Sequence, residues 1–273
     1  MGDPARDHGS DQVTLVSSRG PVVYVHDVDH PDLAPDDLHH LQRVVRLRQG
    51  DALVVCDGRG RWRPAMMDAG ASGGAKVVAG LVCTAPARFE PRPERTLTLS
   101  VALPKGERAD WLLQKATELG IDAFVLIETD HSVVRSHQDN GSRVRARLER
   151  VIRAAGAQSR RTWLPELSGP YSFAQVTAGA VAAGPAAPAG GNAGVVLAQP
   201  GGGPITRSVR NVMIGPEGGW SATELGVGLP TVGLGPQVLR VETAALAAST
   251  LLVALRSRLV FDVDSAEENA LGG

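Results

Sequence analysis

The chain has 273 residues, 43% of them apolar and 21% charged, enough for one large domain or two ordinary ones with a real core. A net charge of -1 says nothing about nucleic acid, so any case for such a partner rests on local patches. Cys56 and Cys83 are too few for a disulfide framework and lack metal-ligand spacing, residues 1–12 contain no apolar run, and no segment approaches the roughly 18 apolar residues of a membrane helix, so a soluble cytoplasmic protein without a membrane partner is expected.

After the polar start, residues 21–28, "PVVYVHDV", predict a strand. Asp36 or Asp37 can cap a following helix whose Leu38, Leu41, Val44 and Val45 share a face. Residues 52–67 predict a hairpin, with Asp57-Gly58 and Arg59-Gly60 supplying the turn, and residues 75–83 add a strand. One helix among several strands suggests a small β-barrel-like domain ending near Ala85. The three prolines of residues 86–95, "PARFEPRPER", predict a linker.

The texture then changes. A strand at 96–103 is broken by Pro104-Lys105-Gly106. A helix at 107–119 follows, with Leu112, Leu113, Ala116 and Leu119 on its apolar face and Gly120 at its end. Residues 121–129 predict a strand, and 142–158 a helix carrying Val144, Leu148, Val151, Ile152 and Ala155. The Ala/Gly/Pro-rich residues 178–194 predict an adaptable surface loop. Short strands at 195–200, 211–214 and 230–235 precede an alanine-rich helix from about 242 to 258. Alternating strands and helices argue for an α/β layer on a mostly parallel sheet.

Three stretches could carry chemistry. In "NVMIGPEGGWSATEL", residues 211–225, a strand runs into a glycine-rich turn and then a helix opened by a Ser221-x-x-Glu224 capping box. Neither the Lys-Ser/Thr of a P-loop nor dinucleotide glycine spacing is present, so the turn suggests close backbone approach to a ligand that needs no phosphate cradle; a tight loop with no ligand is the structural alternative. "LGPQVLRVETAALAAS", residues 234–249, repeats the grammar, with Arg240 and Glu242 at the mouth of the helix; structurally these two could be an exposed ion pair. Between Arg143 and Arg161 stand seven arginines and one acid, Glu149, the pattern of a phosphate-binding face or of a solvated one. Arg43, Arg46 and Arg48, then Arg59, Arg61 and Arg63 around Trp62, add basic and aromatic interleaving of the kind RNA binders use. No histidine has a cysteine or carboxylate at metal-ligand spacing, so no metal is expected.

"HHLQRVVRLRQGD", "KGERADWLLQKATELGI", "RLERVIRAAGAQSRR", "IGPEGGWSATE" and "LGPQVLRVETA" together resemble, in order, the motifs of the RsmE-like ribosomal RNA methyltransferases. The resemblance implies an α/β fold: a PUA-like RNA-binding domain at 13–85, the linker at 86–95, and a SPOUT methyltransferase domain at 96–265 with a C-terminal trefoil knot, between flexible tails at 1–12 and 266–273. It implies an S-adenosylmethionine pocket at Leu197, Pro200, Gly215, Pro216, Glu217, Gly218, Gly219, Leu234, Gly235, Leu239, Arg240, Thr243 and Ala244. Lys105, Lys115, Glu118 and Arg135 match polar positions of the family. The implied activity is methylation of a uridine ring nitrogen, N3, in 16S ribosomal RNA or the small ribosomal subunit, by a homodimer. Arg240 is the candidate for stabilising the uracil anion, and Glu217 or Glu242 for accepting its proton or orienting Arg240. RNA contacts are expected at Arg43, Arg46, Arg61, Arg143, Arg147, Arg150, Arg160 and Arg161. The rivals are a SPOUT enzyme acting on a ribose 2′-hydroxyl and a catalytically silent RNA-binding assembly factor.

Overall fold

A computed structural model describes residues 14–33, 41, 43, 46–68, 81–132, 138–178 and 194–260. The expected tails, residues 179–193 of the loop expected at 178–194, and Arg135 lie outside the described residues. The chain divides into two compact units, Met1–Arg92 with Arg160–Thr162, and Pro93–Ser159 with Trp163–Gly273.

The first unit is a five-stranded sheet of β1 (Val22–Tyr24), β2 (Ala52–Cys56), β3 (Arg61–Met67), β4 (Leu81–Cys83) and β5 (Arg88–Phe89). β1 pairs with β2 in parallel, while β2–β3, β3–β4 and β3–β5 are antiparallel. The β2–β3 hairpin turns where expected: the Asp57 carboxylate accepts from the N–H groups of Arg59 and Arg61 at 2.7 and 3.0 Å, and Gly58 and Gly60 take φ of 70° and 96°. Of the expected first-unit helix, Leu41 and Arg43 are described, and both are helical. The expected linker contains β5, and the Glu90 carboxylate accepts from Leu15 N–H at 2.7 Å, so structure of the first unit continues into that segment.

The core of this unit gathers Val23, Val25, Val28, Leu33, Leu41, Leu53, Val55, Ala65 and Met67. Trp62 is also buried, with the Arg88 guanidinium 5.2 Å from its ring centroid. The sequence places it among arginines as a stacking aromatic, but the strand turns it inward. Cys56 is buried beside it in the β2–β3 pair, and that burial pushes its thiol up to about 12.

The second unit is built on six strands: β6 (Thr98–Val101), β7 (Ala123–Glu128), β8 (Glu166–Ser172), β9 (Val195–Gly203), β10 (Asn211–Ile214) and β11 (Thr231–Val232). All pairings are parallel, in the order β11-β9-β10-β6-β7-β8. Helices α1 (Glu107–Leu119), α2 (Gln138–Gln158), α3 (Phe173–Thr177), α4 (Ala222–Leu225) and α5 (Val241–Arg256) connect or follow them. β8 and α3 have no counterpart among the sequence expectations. "ELSGPYS" carries a glycine and a proline where a strand rule wants apolar or β-branched residues, and the sheet's edge accommodates both.

Strand alternation sorts the apolar residues onto two faces. Leu99, Val101, Phe124, Leu126, Val196, Val212 and Ile214 pack with Ala109, Leu112, Leu113 and Ala116 of α1, Leu148 and Ile152 of α2, and Val241, Ala245, Ala248 and Leu252 of α5. Val125, Ile127, Leu197 and Met213 face the other way and pack with Phe173, Val176 and Trp220. Gly120 ends α1 in the left-handed region at φ 117°. The Arg256 guanidinium pairs with buried Asp122, which also accepts from Leu97 N–H at 2.9 Å, and donates to Gly120 O at 2.8 Å, tying the end of α5 to the start of the sheet.

Candidate functional site

In an open parallel sheet, ligands bind at the carboxyl ends of the strands. Here a cleft opens at that edge, lined from β9 by Ala198, Gln199 and Pro200, and from the end of β10 by Ile214, Gly215, Pro216, Glu217, Gly219 and Trp220. The segment after β11 and the first turn of α5 add Leu234, Gly235, Gln237, Val238, Leu239, Val241 and Ala244. Three segments far apart in sequence therefore make one wall each.

Backbone proximity sets where side chains cannot be. A Cβ on Gly202 would stand 2.5 Å from Val232 C and 2.7 Å from Val232 N, so β9 and β11 pass with no room for one. At Gly215 a Cβ would meet the Trp220 indole at 3.0 Å. That indole is buried, donates its N–H to Ala198 O at 2.9 Å and tilts against Phe173 at 5.6 Å between centroids. Trp220 is thus a fixed floor of the cleft, its polar atom already satisfied.

The turn after β10 is braced from the loop after β7, two strands away in the sheet. Ser221 Oγ caps α4 by accepting from Glu224 N–H at 3.2 Å and donates to Asp130 Oδ2 at 2.5 Å. The Glu224 carboxylate accepts from Ser221 N–H at 2.8 Å and from Asp130 N–H at 3.0 Å, so the capping box expected from the sequence is present and tied to a second strand's loop. His131 Nδ1 lies 3.0 Å from Gly219 O, and its Cβ is 3.0 Å from where a Cβ on Gly218 would sit. On the α1 side, Arg108 pairs with Glu217 at 3.1 Å, an exposed ion pair of the kind that contributes about 0–1 kcal/mol.

Of the expected pocket residues, Pro200, Gly215, Pro216, Glu217, Gly219, Leu234, Gly235, Leu239 and Ala244 line the cleft. Leu197 is fully buried in the core beneath it, Gly218 packs on His131, and Thr243 is exposed on α5 outside the lining. Arg240 is the N-cap residue of α5 and is exposed; its guanidinium has no hydrogen-bond or ion-pair partner among the described residues. Glu242 stands in the first turn of α5 with Oε2 buried and unbonded, so the ion pair that residue spacing allows between it and Arg240 is not formed. Gln199, Gln237 and Val238 join the lining without having been singled out; their only sequence signal is adjacency to the glycine-proline turns. Arg108 lies in the "KGERADWLLQKATELGI" motif without having been singled out, and Asp130 and His131 carry no local signal for the cleft; parallel strand order brings the loops after β6 and β7 beside the turn after β10.

The expected RNA-contact arginines separate by what they already hold. Arg143 and Arg150 are exposed on α2, with no side-chain partner among the described residues beyond a 3.4 Å contact of Arg150 Nε with Ala146 O. Arg147 pairs with Asp110 at 3.3 Å, and Arg61 with Asp29 at 2.7 Å. Arg160 is committed: its guanidinium donates to Leu15 O, Gly20 O, Ser18 O and Ser18 Oγ between 2.6 and 3.1 Å, which removes it as a free cation. Arg161 O accepts from Tyr24 Oη at 2.7 Å; Arg43 and Arg46 are exposed in the first unit, Arg46 with φ 60°. Lys115 holds Glu118 at 2.9 Å, and Lys105 is exposed.

The family model "RNA methyltransferase domain" matches residues 91–253, well over half of the chain. This chain belongs to the RNA methyltransferase family. A second model, "RNA methyltransferase PUA domain", matches residues 33–70, in the first unit. The ribosomal RNA small subunit methyltransferase E of Synechocystis is 33% identical over 239 residues, 82% of this chain and 72% of that one. Its namesake from Mycobacterium tuberculosis is 32% identical over 246 residues, 82% and 86% of the two chains. Among solved structures, a probable rRNA-methyltransferase from Porphyromonas gingivalis superposes with a TM-score of 0.68 at 27% identity, covering 88% of this chain and all of that one. A Legionella pneumophila protein, described in its structure as a methyltransferase in complex with the bound cofactor SAM, superposes with a TM-score of 0.72 at 25% identity, covering 87% and 98%. The α/β methyltransferase fold behind a PUA-type domain, expected from the ordered motifs, is the fold observed.

Proposed function

We propose that the protein transfers a methyl group from S-adenosylmethionine to N3 of a uridine in 16S ribosomal RNA. The observation that carries this reading is the chemistry of the cleft wall. Of its lining residues only Glu217 is charged; the rest are apolar, glycine or amide. Glu217 in the wall would repel the phosphates of a nucleotide, whereas a neutral adenosine with a sulfonium suits apolar surface, exposed backbone groups and one carboxylate. Pro200, Leu234, Leu239 and Ala244 would hold the apolar parts, the backbone around Gly215 and Gly235 the polar edges, and Glu217 the cationic side. When bound, the cofactor supplies an electrophilic methyl group.

What remains for the protein is to align a uracil nitrogen and to favour its deprotonated form. Arg240, a cation with no side-chain partner among the described residues and two residues beyond the wall residue Val238, stabilises the charge that develops on the ring. Glu242, with a buried unbonded oxygen in the same helical turn, accepts the imide proton or orients Arg240. Arg143 and Arg150, together with Arg43 and Arg46, supply the phosphate contacts. The relatives' names, which specify the small subunit's RNA, support the substrate class. We further propose a homodimer and a knotted C-terminal segment, as the ordered family motifs imply.

The test is Arg240→Ala, assayed by methyl transfer and by calorimetry with S-adenosylmethionine. Turnover should fall at least a hundredfold with cofactor affinity within about threefold of the parent, the loss expected for one charge-stabilising group. Equal loss of both would reject the role on uracil, and absence of cofactor binding by the parent would revive the silent assembly factor.

A further inference from the structure

The turn at residues 215–220 is held unequally at its two ends. At the far end Trp220 donates to Ala198 O and packs on Phe173, while Ser221 and Gly219 are bound from the β7 loop by Asp130 and His131. At the near end Glu217 has one side-chain partner among the described residues, Arg108, and both side chains are about two-fifths exposed, at 39% and 44%. Arg108 also stands in the first turn of α1, where the helix dipole disfavours a cation, so helix stability does not account for its position. Lys105, three residues earlier, is exposed and has no side-chain partner among the described residues.

We infer that Arg108 is an RNA-responsive positioning residue: in the RNA-free protein it holds the Glu217 carboxylate at the rim, and a backbone phosphate of the incoming RNA takes the guanidinium in its place. This inference rests on the reading of the cleft as a methyl-donor pocket beside an RNA site. A phosphodiester offers the same bidentate acceptor geometry as a carboxylate, and Lys105 adds a second cation on its side of the exchange. The exchange releases Glu217, the one charged residue of the cleft lining, to face a cationic cofactor. RNA binding and cofactor binding thereby favour each other, by the same factor in both directions.

Opposite signs distinguish the exchange from a merely structural ion pair. The experiment measures affinity for unmodified small-subunit ribosomal RNA transcribed in vitro, without cofactor, across a salt series, for the parent, Arg108→Ala, Arg108→Lys and Glu217→Gln. Arg108→Ala should weaken binding about five- to tenfold and lower the salt slope by about one, as for one lost phosphate contact. Arg108→Lys, which keeps the charge but not the fork, should restore the salt slope and recover the affinity only in part, and Glu217→Gln, which removes the competitor, should tighten binding about two- to fivefold with the slope unchanged. Weakening by Glu217→Gln, or no change with Arg108→Ala in a folded protein, overturns the exchange. RNA binding with these signs but no methyl transfer by the parent overturns the methyltransferase reading and leaves the exchange standing.

Discussion

Trp220 and Gly202 show how single residues shape the cleft, and each has a consequence that can be measured. Trp220→Ala removes a buried indole and its bond to Ala198 O, so unfolding should show a loss of about 3–5 kcal/mol, with cofactor affinity falling as the floor opens. Trp220→Phe keeps the packing against Phe173 and should cost about 1 kcal/mol, the worth of the lost hydrogen bond. Gly202→Ala forces a Cβ to within 2.5 Å of the Val232 backbone, and soluble expression should collapse. Gly203→Ala meets Thr231 O at an ordinary 3.7 Å and should change stability by about 1 kcal/mol or less, so comparing the two yields isolates the backbone crossing from glycine's general properties. At this scale the glycines of the 215–219 turn were legible as places of close approach, whereas Gly202 was not singled out, because its neighbour Val232 comes from another strand. The fixed role of Trp220 was not, because nothing in "GPEGGW" tells an inward indole from one that covers a ligand.

At the scale of elements, α1 and α5 follow from apolar spacing closely enough that their observed bounds, Glu107–Leu119 and Val241–Arg256, match the expected ones within two residues. The arginine run from Arg143 to Arg161 was legible as a cluster but not as a division of labour, since Asp110 and the carbonyls of residues 15–20 come from distant parts of the chain. That division is testable by RNA binding across a salt series alongside thermal unfolding. The Arg143→Ala/Arg150→Ala double variant should lower the salt slope by about 1–2, with stability unchanged within about 0.5 kcal/mol. Arg160→Ala should do the reverse, with the slope unchanged and stability down by about 1.5–3 kcal/mol or more as four charge-assisted bonds are lost. A loss of slope with Arg160→Ala would return that residue to the RNA face.

At the scale of the whole molecule, alternating strands and helices point to a parallel α/β sheet, and ordered motifs point to a family, but neither yields the strand order β11-β9-β10-β6-β7-β8. That order sets the loops after β6 and β7 beside the turn after β10, and it explains how Arg108, from the "KGERADWLLQKATELGI" motif, and Asp130 and His131, which belong to none of the motifs, reach the cleft. The central claim is that this cleft serves methyl transfer to a uridine N3. Its most direct test incubates the protein with isotopically labelled S-adenosylmethionine and small-subunit ribosomal RNA, free and assembled, from cells lacking the modification, then digests the RNA to nucleosides for mass analysis. Label should appear in N3-methyluridine; label on a ribose 2′-oxygen, or no label in any nucleoside from either substrate form, would rule out methyl transfer to a uridine N3.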